Sequence, residues 1–368
     1  MTRALRILLL AGAIVVLPRA AAAYSVLAHE SNIDALWDAR IRPLLLAKYP
    51  RTTPDGLMAA RAYAYGGSVI HDLGYYPFGS HFFTNVVHYA RTGDFVETML
   101  REATDVNEYA FAIGALCHYA SDNAGHAVAV NKAVPLIYPK LQKKFGDVVP
   151  YDKAPKEHIL VEFAFDVLLV AHGGYKLQAY HDFIGFKVAK PLLARVFQAT
   201  YGLEMDDLFL NEDLAIGTFR HAVGEIIPNV TKVAWDKKQE QIQKNTPGVL
   251  RDRFVLSLPP AAYEKEFGTD YQKPRGFAKV LGFLYKLLPK IGPLRPLAFK
   301  VPTPEAEKLF LDSLDRTRER FGVALRDLGR GTVQLPNVNL DTGRAHVPGE
   351  HTLADKTLRE WEKRKAKE

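Results

Sequence analysis

Three side chains that commonly bind metal ions recur at four-residue intervals: His118, Asp122 and His126. On an α-helix, residues at i, i+4 and i+8 share one face, so these side chains can point at a common centre. An aspartate between two imidazoles has two oxygens and can bridge two metal ions. Because the flanking residues 110–117 and 127–130 are mostly apolar, the triplet is predicted to be buried. A bound metal is the simplest partner that justifies this desolvation.

A second pair at helical spacing, His158 and Glu162, offers one nitrogen and one oxygen ligand. Taken alone, this pair is more commonly a surface helix pair than a ligand pair. The sequence has a single cysteine, Cys117, which excludes an all-cysteine zinc site and an internal disulfide framework. Nitrogen and oxygen ligands without sulfur favour zinc, with manganese or iron as alternatives.

Together these motifs resemble the zinc-dependent phospholipase C family. The resemblance covers about residues 24–169 and is carried by His118-Tyr-x-x-Asp122, His126, Asn131 and His158-x-x-x-Glu162. That family is related to the fungal single-strand nucleases, and both groups share a helical fold and a site of three zinc ions. In both, the amino group and carbonyl of the first mature residue bind one zinc, and a histidine follows shortly. Tyr24 and His29, five positions apart, match this arrangement with the spacing of the nuclease branch.

The resemblance also implies an aspartate and a later histidine as ligands. Asp72 matches the aspartate; His88, sixteen positions later, fits the family spacing best, and His81, nine positions later, is the second choice. His71 is predicted to be structural or to support a ligand without binding the metal itself. The family pattern assigns Asp72, His88, His118 and Asp122 to one zinc, the Tyr24 terminus, His29 and Asp122 to the next, and His126, His158 and Glu162 to the third. The chain departs from the family in having Tyr24 where tryptophan is usual, and in a short gap between Asp122 and His126.

The implied reaction is hydrolysis of a phosphodiester by a zinc-bound hydroxide, with phospholipase C-type cleavage of a phospholipid head group as the first hypothesis. Two zinc ions about 3.5–4 Å apart acidify a water and stabilise the entering and leaving oxygens. Asp122, as the bridge, and Asp72, as a group that orients or deprotonates the water, are the predicted catalytic residues. Three aromatic residues are candidates to line the mouth of the site and bind substrate, and are equally compatible with a core role: Tyr75, Tyr76 and Phe78.

The substrate class rests on weaker signals. Residues 275–300 carry six basic and no acidic side chains, with apolar residues at helical spacing. Such a helix can lie on an anionic membrane, although a helix packed on the protein explains the pattern equally. The alternatives are a nuclease-type phosphodiesterase on single-stranded nucleic acid and a non-catalytic, membrane-associated binding protein. A phospholipid or membrane surface is the favoured partner, nucleic acid is less favoured, and no protein partner is indicated.

The first residues have the pattern of an export signal. Arg3 and Arg6 precede an apolar run over residues 7–17, and alanines at 21–23 suit a signal peptidase. Cleavage before Tyr24 predicts a periplasmic or extracellular protein. A membrane anchor is disfavoured because the run is shorter than the ~20 residues that span a bilayer. Removing this segment takes away three arginines and lowers the formal net charge from +7 to +4, which gives little support to bulk nucleic-acid binding.

The composition, 48% hydrophobic and 24% charged, is that of an ordinary globular protein. Helical periodicity without hairpin signals predicts an all-α, multi-helix bundle with the zinc cluster between helices. The predicted units are a signal peptide over 1–23, a phospholipase C-like helical domain over 24–244, and a helical and loop extension over 245–368. Helices are predicted within 33–45, 95–100, 109–117, 160–170, 213–227, 304–328 and 353–367. Residues 335–343 are predicted as a packed surface strap without a chemical role, and His172, His181, His221, His346 and His351 as core residues.

Overall fold

The computed structural model describes residues 26–76, 78–172, 186–245, 248–255 and 300–367. These ranges contain α-helices joined by short 3-10 and π-helical turns, and their one β-type pairing is an isolated bridge between Asn339 and Arg344. The predicted all-α fold is therefore confirmed. The helices are α1 Val26–Leu36, α2 Arg42–Lys48, α3 Pro54–Val69, α4 His81–Tyr89, α5 Thr92–Glu102, α6 Val106–Ala124, α7 Asn131–Ile137, α8 Pro139–Phe145, α9 Pro155–Ala171, α10 Lys190–Tyr201, α11 Glu212–Asn245, α12 Arg251–Phe254, α13 Pro304–Gly329 and α14 Thr352–Lys365.

The predicted helices coincide with observed ones, except that the segment 33–45 is divided between α1, a π-helical turn and α2. The signal peptide, Tyr24, His181 and all but the last residue of segment 275–300 lie outside the described residues. The division into units at 23/24 and 244/245 stays a prediction. Among the helices that are described, none combines the length and the apolar character needed to cross a bilayer.

Helices α3 and α6 pack closely against each other. Thr53 caps α3 by accepting a hydrogen bond from Gly56 N at 3.1 Å, and Asp105 caps α6 by accepting bonds from two amides of its first turn. Glycines allow the two backbones to approach: a Cβ on Gly114 would lie 2.0 Å from the carbonyl oxygen of Ala64. This contact fixes the position of α6, the helix that carries His118 and Asp122.

Replacing Gly114 with alanine is expected to destabilise the protein by about 3 kcal/mol, because a methyl group cannot fit against the α3 backbone without moving a helix. The matched control is Gly322→Ala in α13, where the new Cβ meets only Leu36 Cδ1 at 3.9 Å. That change should be neutral or stabilising by up to ~1 kcal/mol, since alanine favours a helix. Denaturant unfolding of the two variants measures the difference, and equal stabilities would contradict the tight α3–α6 contact.

The C-terminal part of the chain packs directly on this body. Helix α13 contacts α1, α6, α7 and the π-helical turn Gly125–Val130 that follows α6, and α14 contacts α4. Between α13 and α14, residues 335–343, which we call the strap, run across α5 and reach the interior at Leu340 and Asp341. The strap therefore ends among the residues that sequence analysis proposed as metal ligands.

Candidate metal centre

The Asp122 carboxylate, on α6, is fully buried and has imidazole nitrogens on both sides. Its Oδ1 lies 3.6 Å from His29 Nε2, which comes from α1. Its Oδ2 lies 3.1 Å from His118 Nε2 and 3.3 Å from His88 Nε2. Each oxygen thus faces a different set of nitrogens, which is the arrangement a bridging carboxylate requires.

Backbone carbonyls hold three of the histidine rings in one orientation. His118 Nδ1 donates to Ser68 O at 2.9 Å, and His88 Nδ1 donates to Thr84 O at 2.7 Å. In the same way His158 Nε2 donates to Val149 O at 2.6 Å. Because a carbonyl can only accept, each ring has a proton on the nitrogen that meets it, and the other nitrogen of a neutral ring is available to bind a metal ion. Histidines that bind metals are commonly held in this manner.

Asp72 lies on the 3-10 turn Ile70–Tyr75 that ends α3, and α4 brings His88 beside it. Asp72 Oδ1 is 3.6 Å from His88 Nε2. One ligand atom each from Asp72, His88 and His118 falls within 4.8 Å of the others, and the same holds for His29, His118 and Asp122. The two groups share His118, so they are adjacent.

A third group forms around His126, which lies on the π-helical turn Gly125–Val130. Such a turn changes the direction of the side chains that follow it. His126 accordingly joins His158 of α9 and Asp341 of the strap, with ligand atoms within 4.8 Å of one another. Glu162 is one helical turn from His158, and its Oε1 is 3.9 Å from His158 Nδ1.

The electrostatics of the cluster fit a bound cation. Burial opposes the charge of Asp122, but His118 and His88 outweigh burial and hold the pKa of Asp122 well below its usual range. Burial, reinforced by Asp72 and Asp122, raises the pKa of Glu162 well above its usual range, and neither Glu162 oxygen has a hydrogen-bond partner. Buried polar groups are normally satisfied. A metal ion would supply the missing partner, and imidazole with carboxylate is a donor set that suits zinc.

The other predicted residues take different positions. Tyr24 is outside the described residues, and His81 is exposed at the start of α4, apart from the three groups. The Tyr75 ring is buried, 6.2 Å from that of His88 between centroids, whereas Tyr76 packs on Phe219 at 4.1 Å. Phe78 is 40% exposed.

The histidines without an assigned ligand role are either buried or at least partly exposed. His71 is fully buried, and its ring stacks on His118 with centroids 4.1 Å apart, which accords with its predicted structural role. The core prediction is wrong for His221, which is exposed, and for His172 and His346, which are partly exposed. His351 is buried as predicted, and it makes a contact with Asp341 that sequence analysis missed, at 2.9 Å from Nε2 to Oδ2.

A buried set of histidines and carboxylates on an all-helical frame is typical of helical metalloproteins. Residues 35–210 match the family described as zinc dependent phospholipase C. This region of the chain belongs to that family, and the protein is a zinc-dependent phosphodiester hydrolase. The match contains the proposed ligands from Asp72 to Glu162 but neither His29 nor Asp341. No curated protein and no solved structure matches the chain.

Proposed function

We propose that the chain releases phosphorylated head groups from phospholipids at a site of three zinc ions centred on Asp122. The observation that carries the proposal is the Asp122 carboxylate itself, with His29 on one oxygen and His88 and His118 on the other. Asp122 can therefore bridge two ions. The family match supports phospholipid as the substrate class.

Different residues would hold the two ions on either side of Asp122. His29, with the expected free terminus of Tyr24, would hold one ion, and Asp72, His88 and His118 the second. Zinc bound there supplies Lewis acidity to a phosphoryl oxygen and lowers the pKa of water. Asp72 has an oxygen on the His88 side of the cluster, where it can orient the attacking water and accept its proton.

The buried Tyr75 and Tyr151 rings lie between His88 and the third group of ligands. Their centroids are 6.3 Å apart, and Tyr151 lies 5.8 Å from the His158 ring. Burial raises the pKa of Tyr75 well above its usual range, so its hydroxyl keeps its proton. We assign to Tyr75 a role in positioning the part of the substrate that does not react.

The activity is tested with zinc-loaded protein that begins at Tyr24, incubated in parallel with phosphatidylcholine vesicles and with single-stranded DNA. Release of phosphorylated head group into the aqueous phase is expected, and it should be lost in Asp72→Asn. Cleavage of the DNA without head-group release would replace the proposal with the nuclease alternative. Vesicle binding without hydrolysis, unchanged in Asp72→Asn, would indicate the non-catalytic binding protein.

Export is part of the same proposal, because the ion assigned to His29 also requires a free amino group at Tyr24. Asp166 of α9 is placed to support that terminus: its carboxylate accepts hydrogen bonds from Leu27 N at 3.1 Å and Ala28 N at 3.0 Å. The first turn of α1 is thereby held beside the cluster. Intact-mass analysis of the exported protein tests the cleavage site, and a mass that retains residues 1–23 would contradict it.

A further inference from the structure

The strap carries a buried carboxylate to the third group of ligands, from beyond the part of the chain that matches the family. We propose that Asp341 is a ligand of the metal ion that His126 and His158 hold. This inference rests on the proposed function, since it assumes that the third group binds a zinc ion. Its consequence is that the C-terminal extension supplies part of the metal centre.

The position of Asp341 is that of a ligand. Its side chain is 3% exposed, and Oδ1 lies 3.2 Å from His126 Nδ1. The His126 and His158 rings face each other with centroids 5.9 Å apart and planes at 18°. One atom from each of the three residues falls within a 4.8 Å group, a spread that one metal ion can draw together.

The second oxygen of Asp341 is used by the protein, which fixes the direction of the first. Oδ2 accepts a hydrogen bond from Tyr151 N at 2.9 Å and another from His351 Nε2 at 2.9 Å. His351 Nδ1 accepts a bond from Ala354 N, so the proton of the neutral ring is on Nε2. Oδ1 is left pointing at His126. Carboxylate ligands of metal ions are typically held by such hydrogen bonds.

The backbone around the third group forms one connected network. His158 donates to Val149 O, Val149 N donates to Asn131 O, and Asn131 Nδ2 donates to the carbonyl oxygen of Asp341 at 2.8 Å. The strap, α7 and α9 are thus joined through the residues that surround the proposed ion. The network fixes Asp341 by its main chain as well as by its side chain.

The strap is a fixed part of the fold along its length. The Asn337 side chain caps α5 by accepting bonds from Gly93 N and Asp94 N, each at 3.0 Å. A Cβ at Gly93 would lie 1.9 Å from Leu335 O, so the strap rests directly on the α5 backbone. Leu340 N donates to the carbonyl oxygen of His88 at 3.0 Å. The strap therefore contacts the backbone of His88, one of the proposed ligands, immediately before it reaches Asp341.

An ion pair between His126 and Asp341 alone does not account for this site. It leaves the two Glu162 oxygens and His158 Nδ1, all buried, without hydrogen-bond partners. A single cation near His126, His158, Glu162 and Asp341 satisfies all four side chains. Two imidazoles and two carboxylates also provide the four ligands that a tetrahedral zinc site takes.

Zinc content tests the assignment. Wild type, Asp341→Asn and Glu162→Gln, each beginning at Tyr24, are loaded with zinc, dialysed and measured by elemental mass spectrometry, and a competing chelator gives the affinities. We expect one of the three ions to bind more than about 100-fold more weakly in Asp341→Asn, beyond what the loss of an outer hydrogen-bond partner costs, with the other two unchanged. A loss in Asp341→Asn with or without a loss in Glu162→Gln supports the proposal. Three ions of unchanged affinity in Asp341→Asn would overturn it.

Asp355→Asn is the matched control, since Asp355 is also a C-terminal carboxylate that faces a histidine, with Oδ1 3.2 Å from His346 Nε2. Its zinc content should equal that of wild type. His351→Gln, which leaves Asp341 in place but changes its orienting bond and the cap of α14, should weaken the same ion and recover it at higher zinc. Matching circular dichroism of the metal-free proteins shows that Asp341→Asn folds. Wild type without any zinc would refute the proposed function itself, whereas three tightly bound ions in both wild type and Asp341→Asn would refute this inference alone.

Discussion

Replacing Asp122 with asparagine should lower phosphodiester hydrolysis by roughly 10³-fold or more, because the site would lose the carboxylate proposed to bridge two metal ions. The amide keeps the shape of the carboxylate, so the α6 backbone should not move. It cannot offer two anionic oxygens to His29 on one side and to His88 and His118 on the other. Initial rates with phosphatidylcholine vesicles and zinc content measured on the same sample test the expectation together.

Asp312→Asn is the control for a general effect of removing a carboxylate. Asp312 pairs with Lys308 on the surface of α13 at 2.6 Å, and the two side chains are 47% and 75% exposed. An exposed pair of this kind contributes at most about 1 kcal/mol to stability, and this one is not among the three candidate ligand groups. Its hydrolysis rate should match that of wild type. A wild-type rate in Asp122→Asn would remove the bridging carboxylate from the mechanism.

Local spacing predicted the centre of the site well because helix geometry is set within one turn. His118 and Asp122, four residues apart, do lie with Nε2 and Oδ2 3.1 Å from each other. The same rule failed to place His126 on a common centre with them, since α6 ends at Ala124 and a π-helical turn follows. No feature of the sequence at Gly125 predicts this turn.

Long-range pairings could not be predicted from spacing. The proximity of Asp72 to His88 depends on how the 3-10 turn and α4 pack, and only the family resemblance suggested it. Asp341 is 190 positions from Tyr151, and its side chain accepts a hydrogen bond from the Tyr151 amide. The strap sequence contains Asn and Asp in a loop, which is common on surfaces. Only packing shows that Asp341 is buried.

Removing zinc should lower the midpoint of thermal unfolding by more than about 10 °C, because three ions at 1,000 times their dissociation constants would each contribute ~4 kcal/mol. Without zinc, the cluster keeps four buried carboxylates that no cation neutralises: those of Asp72, Asp122, Glu162 and Asp341. Differential scanning calorimetry before and after dialysis against a chelator measures the change. Added zinc should restore the midpoint, whereas magnesium, which prefers octahedral oxygen ligands, should not.

Cys117 provides a second, local measurement of the same event. Its thiol is fully buried next to His118 in sequence, with Sγ 3.8 Å from the carbonyl oxygen of His29, and burial raises its pKa to about 12. A thiol reagent should therefore not modify the zinc-loaded protein. Chelation would remove the two ions that His29 and His118 are proposed to hold on either side of Asp122, and would loosen α1 from α6. The thiol should then become reactive well below the unfolding temperature. Equal protection with and without zinc would show that helix packing alone holds α1 against α6, and that the metal acts in catalysis without supporting this part of the fold.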